Sequence, residues 1–99
     1  MKHCIIVKYE KDVTAEKKRE LLPEIQDLFD NTKSIEGIHD VKLYPNVIDR
    51  ENRYDLMIVI EMEKEALGDY DVCKWHHQWK QDYSKYIAGK AIFDAEDCF

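Results

Sequence analysis

The chain has 99 residues, of which 44% are hydrophobic and 36% charged, and its formal net charge is −6. This composition is typical of one soluble globular domain over residues 1–99 and excludes a disordered chain. The acidic excess disfavours nucleic acid and membrane partners, because anionic polymers and anionic membranes both require a basic surface.

The cysteines favour a reducing compartment. There are three, Cys4, Cys73 and Cys98, and none belongs to a CxxC motif. An odd number without paired spacing predicts neither a disulfide framework nor a zinc site. The apolar run Cys4–Val7 is far too short for a signal peptide or a membrane span. We therefore expect a cytoplasmic protein.

The first half of the chain predicts a strand followed by a helix. Residues 2–9 are rich in β-branched side chains and predict a strand. Thr14 is a candidate N-cap for the helix. Pro23 removes one backbone hydrogen-bond donor inside it, which predicts either a kink or a restart of the helix, and the kink is favoured. Apolar residues then recur with helical period at Leu21, Leu22, Ile25, Leu28 and Phe29.

The second half predicts three more strands and a second helical region. The order β-α-β-β-α-β is that of a ferredoxin-like α+β protomer with a four-stranded antiparallel sheet. After Gly37, the predicted elements are a strand over 38–44, a turn-rich connection, a strand over 54–62, a short helix over 64–69, an aromatic helix ending near Tyr86, and a strand over about 87–94.

Two strands are apolar on both faces, which predicts a second covering layer. Strand one carries Ile5 and Val7 on one face and Cys4 and Ile6 on the other. The third strand repeats the pattern, with Met57 and Val59 opposite Leu56, Ile58, Ile60 and Met62. Two helices can cover only one face, and a sheet with one wet face should alternate apolar and polar residues. We therefore expect a homodimer that packs through the sheet.

The aromatic helix carries a histidine within an apolar stripe. The spacing predicts that one helical face presents Val72, His76, Trp79, Tyr83 and Tyr86. A buried imidazole in an aromatic wall is a candidate for proton chemistry. It is equally compatible with a core histidine whose hydrogen bonds are satisfied.

With its elements in this order, the chain resembles the stress-responsive A/B barrel (Dabb) family of dimeric α+β barrels. The resemblance is carried by KHCIIVKY at the start, GIHDVKLYPN after the first helix, RYDLMIVIEME in the third strand, ALGDYDVCKWH from Ala66 to His76, and the closing AIFD. It implies a ferredoxin-like protomer whose sheet packs on its twin, without fixing an activity. Members include stress proteins without assigned chemistry and a plant polyketide cyclase that closes a linear tetraketide by a cofactor-free aldol reaction.

The cyclase resemblance also implies site residues. Its helix histidine corresponds to His76, its tyrosine to Tyr70, its first-strand histidine to His3 and its last-strand acid to Asp94. A further strand histidine of the cyclase falls on Leu56. The His-Pro-Ala that usually leads into the helix histidine is replaced by Cys73, Lys74 and Trp75. These departures predict that the polyketide reaction itself is not conserved.

The candidate residues have defined chemical roles. A neutral imidazole at His76 could remove a proton alpha to a carbonyl, and desolvation by Trp79 would keep it neutral. The Tyr70 hydroxyl could donate to a substrate oxyanion. His3 and Asp94 lie on strands that are neighbours in this fold, where the carboxylate could orient the imidazole or make an ordinary cross-strand contact.

Other chemistry has little support in the sequence. His76 and His77 diverge by about 100° on a helix, so we predict no metal site. No Gly-rich phosphate loop is present, so we expect no nucleotide cofactor. Cys73 could contact His76 one turn later, but an inert thiol is the default.

The leading prediction is a small dimeric protein that binds an apolar or aromatic ligand between helices and sheet. Its predicted ligand-binding residues are His3, Asp94, Leu56 and Trp79, and its candidate catalytic residues are His76 and Tyr70. Its alternatives are a cofactor-independent lyase or cyclase, a cofactor-free monooxygenase by fold analogy, and a structural or stress-protective assembly without a pocket.

Overall fold

A computed structural model describes residues 1–98 and contains the predicted ferredoxin-like α+β fold. Four strands form one antiparallel sheet, and three helices complete the protomer. The strands are β1 (Lys2–Tyr9), β2 (Ile38–Pro45), β3 (Leu56–Met62) and β4 (Ile87–Ala95). The helices are α1 (Ala15–Asp30), α2 (Leu67–Asp71) and α3 (Lys74–Tyr83). Single 3₁₀ turns occupy Asn31–Ser34, Lys64–Ala66 and Ser84–Tyr86.

The strand order β2-β3-β1-β4 places the first strand between the third and the last. His3 of β1 lies opposite Ile60 of β3 on one side and Asp94 of β4 on the other. Directly opposed residues of an antiparallel pair point to the same face of the sheet. His3 and Asp94 therefore share a face, which the sequence left undecided.

Local signals account for the bounds of α1. The hydroxyl of Thr14 accepts a hydrogen bond from the backbone N–H of Lys17, as an N-cap residue does. The helix continues through Pro23 to Asp30, which rules out a restart, the less favoured of the two alternatives at this proline. Pro23 is exposed, which leaves the carbonyl that loses its donor on the solvent side of the helix. At the other end, Gly37 has a φ of 91° and leads into β2.

The core lies between the helices and one face of the sheet. Ile5 and Val7 of β1 are buried on this face, and α1 contributes Leu21, Ile25 and Phe29. The helix α3 joins α1 through its aromatic side chains. Trp79 packs edge-on against Phe29 with ring centroids 5.2 Å apart, and Tyr83 stacks on Trp79 at 5.4 Å. Trp79 therefore belongs to the core between the two long helices.

The opposite face of the sheet, which we call the open face, is also largely apolar. It presents Cys4, Ile6, Met57, Val59, Ala91 and Phe93, in register across β3, β1 and β4. Phe93 is 64% exposed. The assignment of strand residues to two apolar faces is thus confirmed.

The aromatic helical stripe is confirmed only in part. Val72 is 73% exposed and is the C-cap residue that follows α2, so it does not lie on the α3 face. The helix α3 begins at Lys74 and ends at Tyr83, and Tyr86 follows in a 3₁₀ turn. The predicted single helix is broken because a new N-cap forms at Cys73. Among residues 1–98, none of the helices combines the length and apolarity needed to cross a membrane.

Candidate functional site

Four of the predicted site residues meet at one end of the sheet. We call His3, Tyr70, His76 and Asp94 the histidine–tyrosine cluster. The Tyr70 ring lies between the two imidazoles, with centroids 5.3 Å from His3 and 4.8 Å from His76. His3 in turn contacts Asp94. Three separate parts of the chain, β1, the α2–α3 region and β4, thus contribute to one group of polar side chains.

The His3–Asp94 contact fixes the His3 imidazole. The two residues are register partners, and Nδ1 of His3 lies 2.6 Å from Oδ1 of Asp94. A carboxylate can only accept a hydrogen bond, so Nδ1 carries the proton and donates it. Because the His3 side chain is only 7% exposed, this hydrogen bond is partly shielded from water. The carboxylate therefore orients the ring, as the sequence allowed.

Tyr70 is the most deeply buried member of the cluster. It lies in α2, is 1% exposed, and its hydroxyl is fully buried without a hydrogen-bond partner within residues 1–98. Burial raises the pKa of this phenol far above its ordinary value, and the nearby Cys73 and Asp71 add to the shift. The phenol therefore remains protonated and can act as a hydrogen-bond donor.

His76 presents a defined tautomer. Its Nδ1 lies 2.9 Å from the backbone carbonyl oxygen of Asp71, which can only accept. The proton of the neutral ring is therefore on Nδ1, and Nε2 carries the lone pair. Burial lowers the pKa of His76, although the hydrogen bond to the Asp71 carbonyl opposes the shift; Lys80 and Lys90 lower the pKa further. The neutral imidazole is thus favoured, which is the form that accepts a proton.

Cys73 has a structural role that the sequence did not reveal. It is the N-cap of α3, and its Sγ accepts a hydrogen bond from the backbone N–H of His76 at 3.4 Å. The predicted contact between the two residues therefore exists, but through the backbone of His76. The available signal was the i, i+3 spacing of an N-cap and its acceptor site, which cysteine occupies less often than serine or aspartate.

Leu56 and Trp79 lie away from the cluster. Leu56 is opposite Val7, whereas His3 is opposite Ile60, so Leu56 lies four positions along β3 from the residue opposite His3. At about 3.3 Å per residue, this distance is about 13 Å along the strand. Trp79 is one turn beyond His76 but is buried against α1. Neither side chain contributes to the cluster, because strand register and helix packing direct them elsewhere.

The described residues also show where other ligands could bind. Within residues 1–98, no three His, Cys, Asp or Glu side chains come together as a potential metal site. His77 is exposed. Clefts of about 370 and 810 Å³ are present, and neither is lined by a member of the histidine–tyrosine cluster. Leu56 lines the larger one.

Comparisons with known proteins establish the fold. No protein-family model matches the chain, and no curated protein matches it. A dimeric ferredoxin-like protein of unknown function from Bacteroides fragilis has a TM-score of 0.78 and 16% identity, over 97% of this chain and 94% of its own. A protein from Arabidopsis thaliana has a TM-score of 0.76 and 19% identity, over 99% and 95%. A dabb family protein with a ferredoxin-like fold from Mesorhizobium loti has a TM-score of 0.63 and 12% identity, over 99% and 96%.

Proposed function

We propose that this protein is a homodimer of the stress-responsive A/B barrel type that binds a small apolar or aromatic ligand at the histidine–tyrosine cluster. One observation carries the proposal: the Tyr70 hydroxyl is fully buried, unpartnered within residues 1–98, and held between two imidazoles. Leaving a buried hydroxyl without a partner costs about 1–3 kcal/mol, so an acceptor from outside the protomer, such as a ligand or an ordered water, would stabilise it. In this proposal a ligand oxygen supplies the missing acceptor once the side chains that cover the hydroxyl move aside, because neither described cleft reaches the cluster.

The surroundings of the cluster fit a ligand that is mostly apolar. Ile92 lies on the helix-facing side of β4, two residues before Asp94, and is 54% exposed. An exposed aliphatic side chain on the same strand face as Asp94 offers apolar contact next to a group that can recognise a polar atom. Trp75, which replaces a small residue of the cyclase pattern, packs partly against the core, and Lys74 Nζ lies 5.1 Å from its ring centroid.

The second candidate is a cofactor-independent lyase or cyclase. It is favoured by the protonation states of two neighbouring residues, His76 and Tyr70. Nε2 of His76 would take a proton alpha to a carbonyl, and the Tyr70 hydroxyl would donate a hydrogen bond to the oxygen of the developing enolate. The lowered pKa of His76 and the raised pKa of Tyr70 both favour the forms that this reaction requires.

The dimer is supported by the open face. Ile6, Ala91 and Phe93 make the accessible part of this face apolar, and Phe93 alone is 64% exposed. Exposed contiguous apolar surface of this kind marks an interaction site. The Bacteroides fragilis neighbour is described as dimeric. We therefore expect the open faces of two protomers to pack against each other.

Thermal-shift screening against small aromatic and aliphatic acids, phenols and ketones tests ligand binding at the cluster. A ligand that binds the folded state raises the melting temperature by an amount that grows with the logarithm of its concentration relative to its dissociation constant. We expect Tyr70→Phe and His76→Asn to remove the shift. His77→Asn is the matched control, because this neighbouring histidine is exposed. Ligand shifts that survive both cluster substitutions would contradict the proposed site.

A further inference from the structure

A second cleft lies at the end of the sheet opposite the histidine–tyrosine cluster. Its volume is about 810 Å³, within the range of small-molecule sites. Three segments form its walls: residues 8–13, which include the end of β1, the first two turns of α1, and residues 45–56, from the end of β2 to the start of β3. His3 of the cluster and Tyr9 of the cleft lie near opposite ends of β1. They are six positions apart, which corresponds to about 20 Å along the strand. We call this site the basic cleft.

The floor of the basic cleft is apolar. Tyr9 and Leu56 are buried, and Leu22 is partly buried. Ile48 and Tyr54 extend the apolar surface along the β2–β3 connection and are 46% and 42% exposed. Half-exposed large apolar side chains facing a concave floor form a surface that can enclose the body of an apolar ligand.

The rim carries positive charge although the chain as a whole is acidic. Six basic residues and four acidic residues line the cleft, in a chain of net charge −6. Asp55 is already engaged: it accepts hydrogen bonds from the backbone N–H of Tyr9 at 2.8 Å and from Lys18 Nζ at 3.1 Å. The remaining acids are Glu10, Asp49 and Glu51, and the remaining bases are Lys8, Lys11, Arg19, Arg50 and Arg53.

The basic residues differ in their availability. Lys8 Nζ donates to the backbone carbonyl of Arg53 at 2.7 Å, which fixes the lysine against the β2–β3 connection. Within residues 1–98, Arg19 and Arg50 make no ion pair with a carboxylate. Guanidinium groups bind carboxylate and phosphate oxygens with two parallel hydrogen bonds. The rim can therefore hold an anionic head group.

We infer that the basic cleft binds a small amphipathic anion, with the apolar body on the floor and the anionic head at Arg19 and Arg50. The apolar floor excludes a purely polar anion as the preferred ligand, and the positive rim favours an anion over a neutral molecule of the same shape. This site is independent of the histidine–tyrosine cluster. Failure of either site would leave the other untouched.

Fluorescent probes test this inference with a matched pair. Anilinonaphthalene sulfonate carries an anionic head, and N-phenylnaphthylamine has the same aromatic body without it. We expect the sulfonate to bind more tightly to the native protein and to weaken as salt is added, because salt screens an exposed charge contact. Octanoate and octyl phosphate should displace it better than octanol does. The stronger competitor identifies the preferred head group, and equal displacement by octanol would overturn the inference.

Substitutions assign the binding to the cleft. The double substitution Arg19→Gln and Arg50→Gln should lower the affinity for anilinonaphthalene sulfonate about fivefold. This is the combined effect expected from the loss of two partly exposed charge contacts. The same pair should leave N-phenylnaphthylamine unchanged. Lys33→Gln with Lys64→Gln is the control, because it removes the same net charge outside the cleft.

Two further variants test the floor and the competing surface. Ile48→Glu should weaken both probes, and its exposed position keeps the fold intact. Phe93→Ser, on the open face, should weaken neither probe. The absence of sulfonate binding, equal weakening by the control pair, or loss of binding in Phe93→Ser would each overturn the inference.

Discussion

Replacement of Tyr70 by phenylalanine should stabilise the ligand-free protein. The substitution removes a buried hydroxyl that has no hydrogen-bond partner within residues 1–98 and keeps the ring between the two imidazoles. Removal of the unpaired hydroxyl avoids a desolvation cost of about 1–3 kcal/mol. The small void left by the oxygen atom destabilises the folded state by about 0.5 kcal/mol. We therefore expect a net gain of about 1 kcal/mol. For a domain of this size, that gain raises the melting temperature by about 4–8 °C.

The assay is urea and thermal unfolding of wild type and Tyr70→Phe at one protein concentration, since the stability of a dimer depends on concentration. Tyr83→Phe is the matched control. Its hydroxyl donates to Glu24 at 3.3 Å in an exposed position, so its removal should change the free energy of unfolding by about 0.5 kcal/mol or less. The denaturant slope should stay constant, which shows that the folded and unfolded states are otherwise unchanged.

A loss of stability in Tyr70→Phe would refute this reasoning. A satisfied buried hydrogen bond contributes about 0.5–1.5 kcal/mol, so its removal would lower the melting temperature. Such a result would mean that the hydroxyl has a permanent partner in solution. Tyr70 would then be a structural residue, and the observation that carries the proposed ligand site would be lost.

Four further expectations follow from individual residues. Ile6→Lys places a charge on the open face, and sedimentation at micromolar concentration should then give a mass near 11.9 kDa instead of twice that value; a monomeric wild type would contradict the dimer. Trp79→Ala should cost about 3–5 kcal/mol in urea unfolding, because it empties a core position. The folded pKa of His76 lies below its unfolded value of 6.5, so the unfolded state binds more protons between these two values. Wild type should therefore lose stability as the pH falls through 6.5, and His76→Asn should lose less over the same interval. The purified protein, incubated with a synthase that makes the linear tetraketide, should yield no aromatic acid above the no-protein control, because Leu56 and Trp75 replace the residues of the cyclase pattern.

The sequence by itself determined the fold class, the element order and the two faces of each strand. These features depend on local rules: alternation in strands, the helical recurrence from Leu21 to Phe29, and the N-cap at Thr14. Each rule acts within a few neighbouring residues, so the sequence alone is sufficient to predict these features. The same locality explains why the bounds of β1 were predicted without error.

Tertiary structure alone decided which candidate residues meet. The His3–Asp94 contact joins positions 91 residues apart and depends on strand register. A register slip of one residue would place the two side chains on opposite faces of the sheet. The burial of the Tyr70 hydroxyl depends on how α2 packs against the sheet. The exposure of Val72 depends on the new helix, α3, that Cys73 caps. The basic cleft was invisible in the sequence, since its walls come from three distant segments whose side chains converge only when the sheet and α1 have packed.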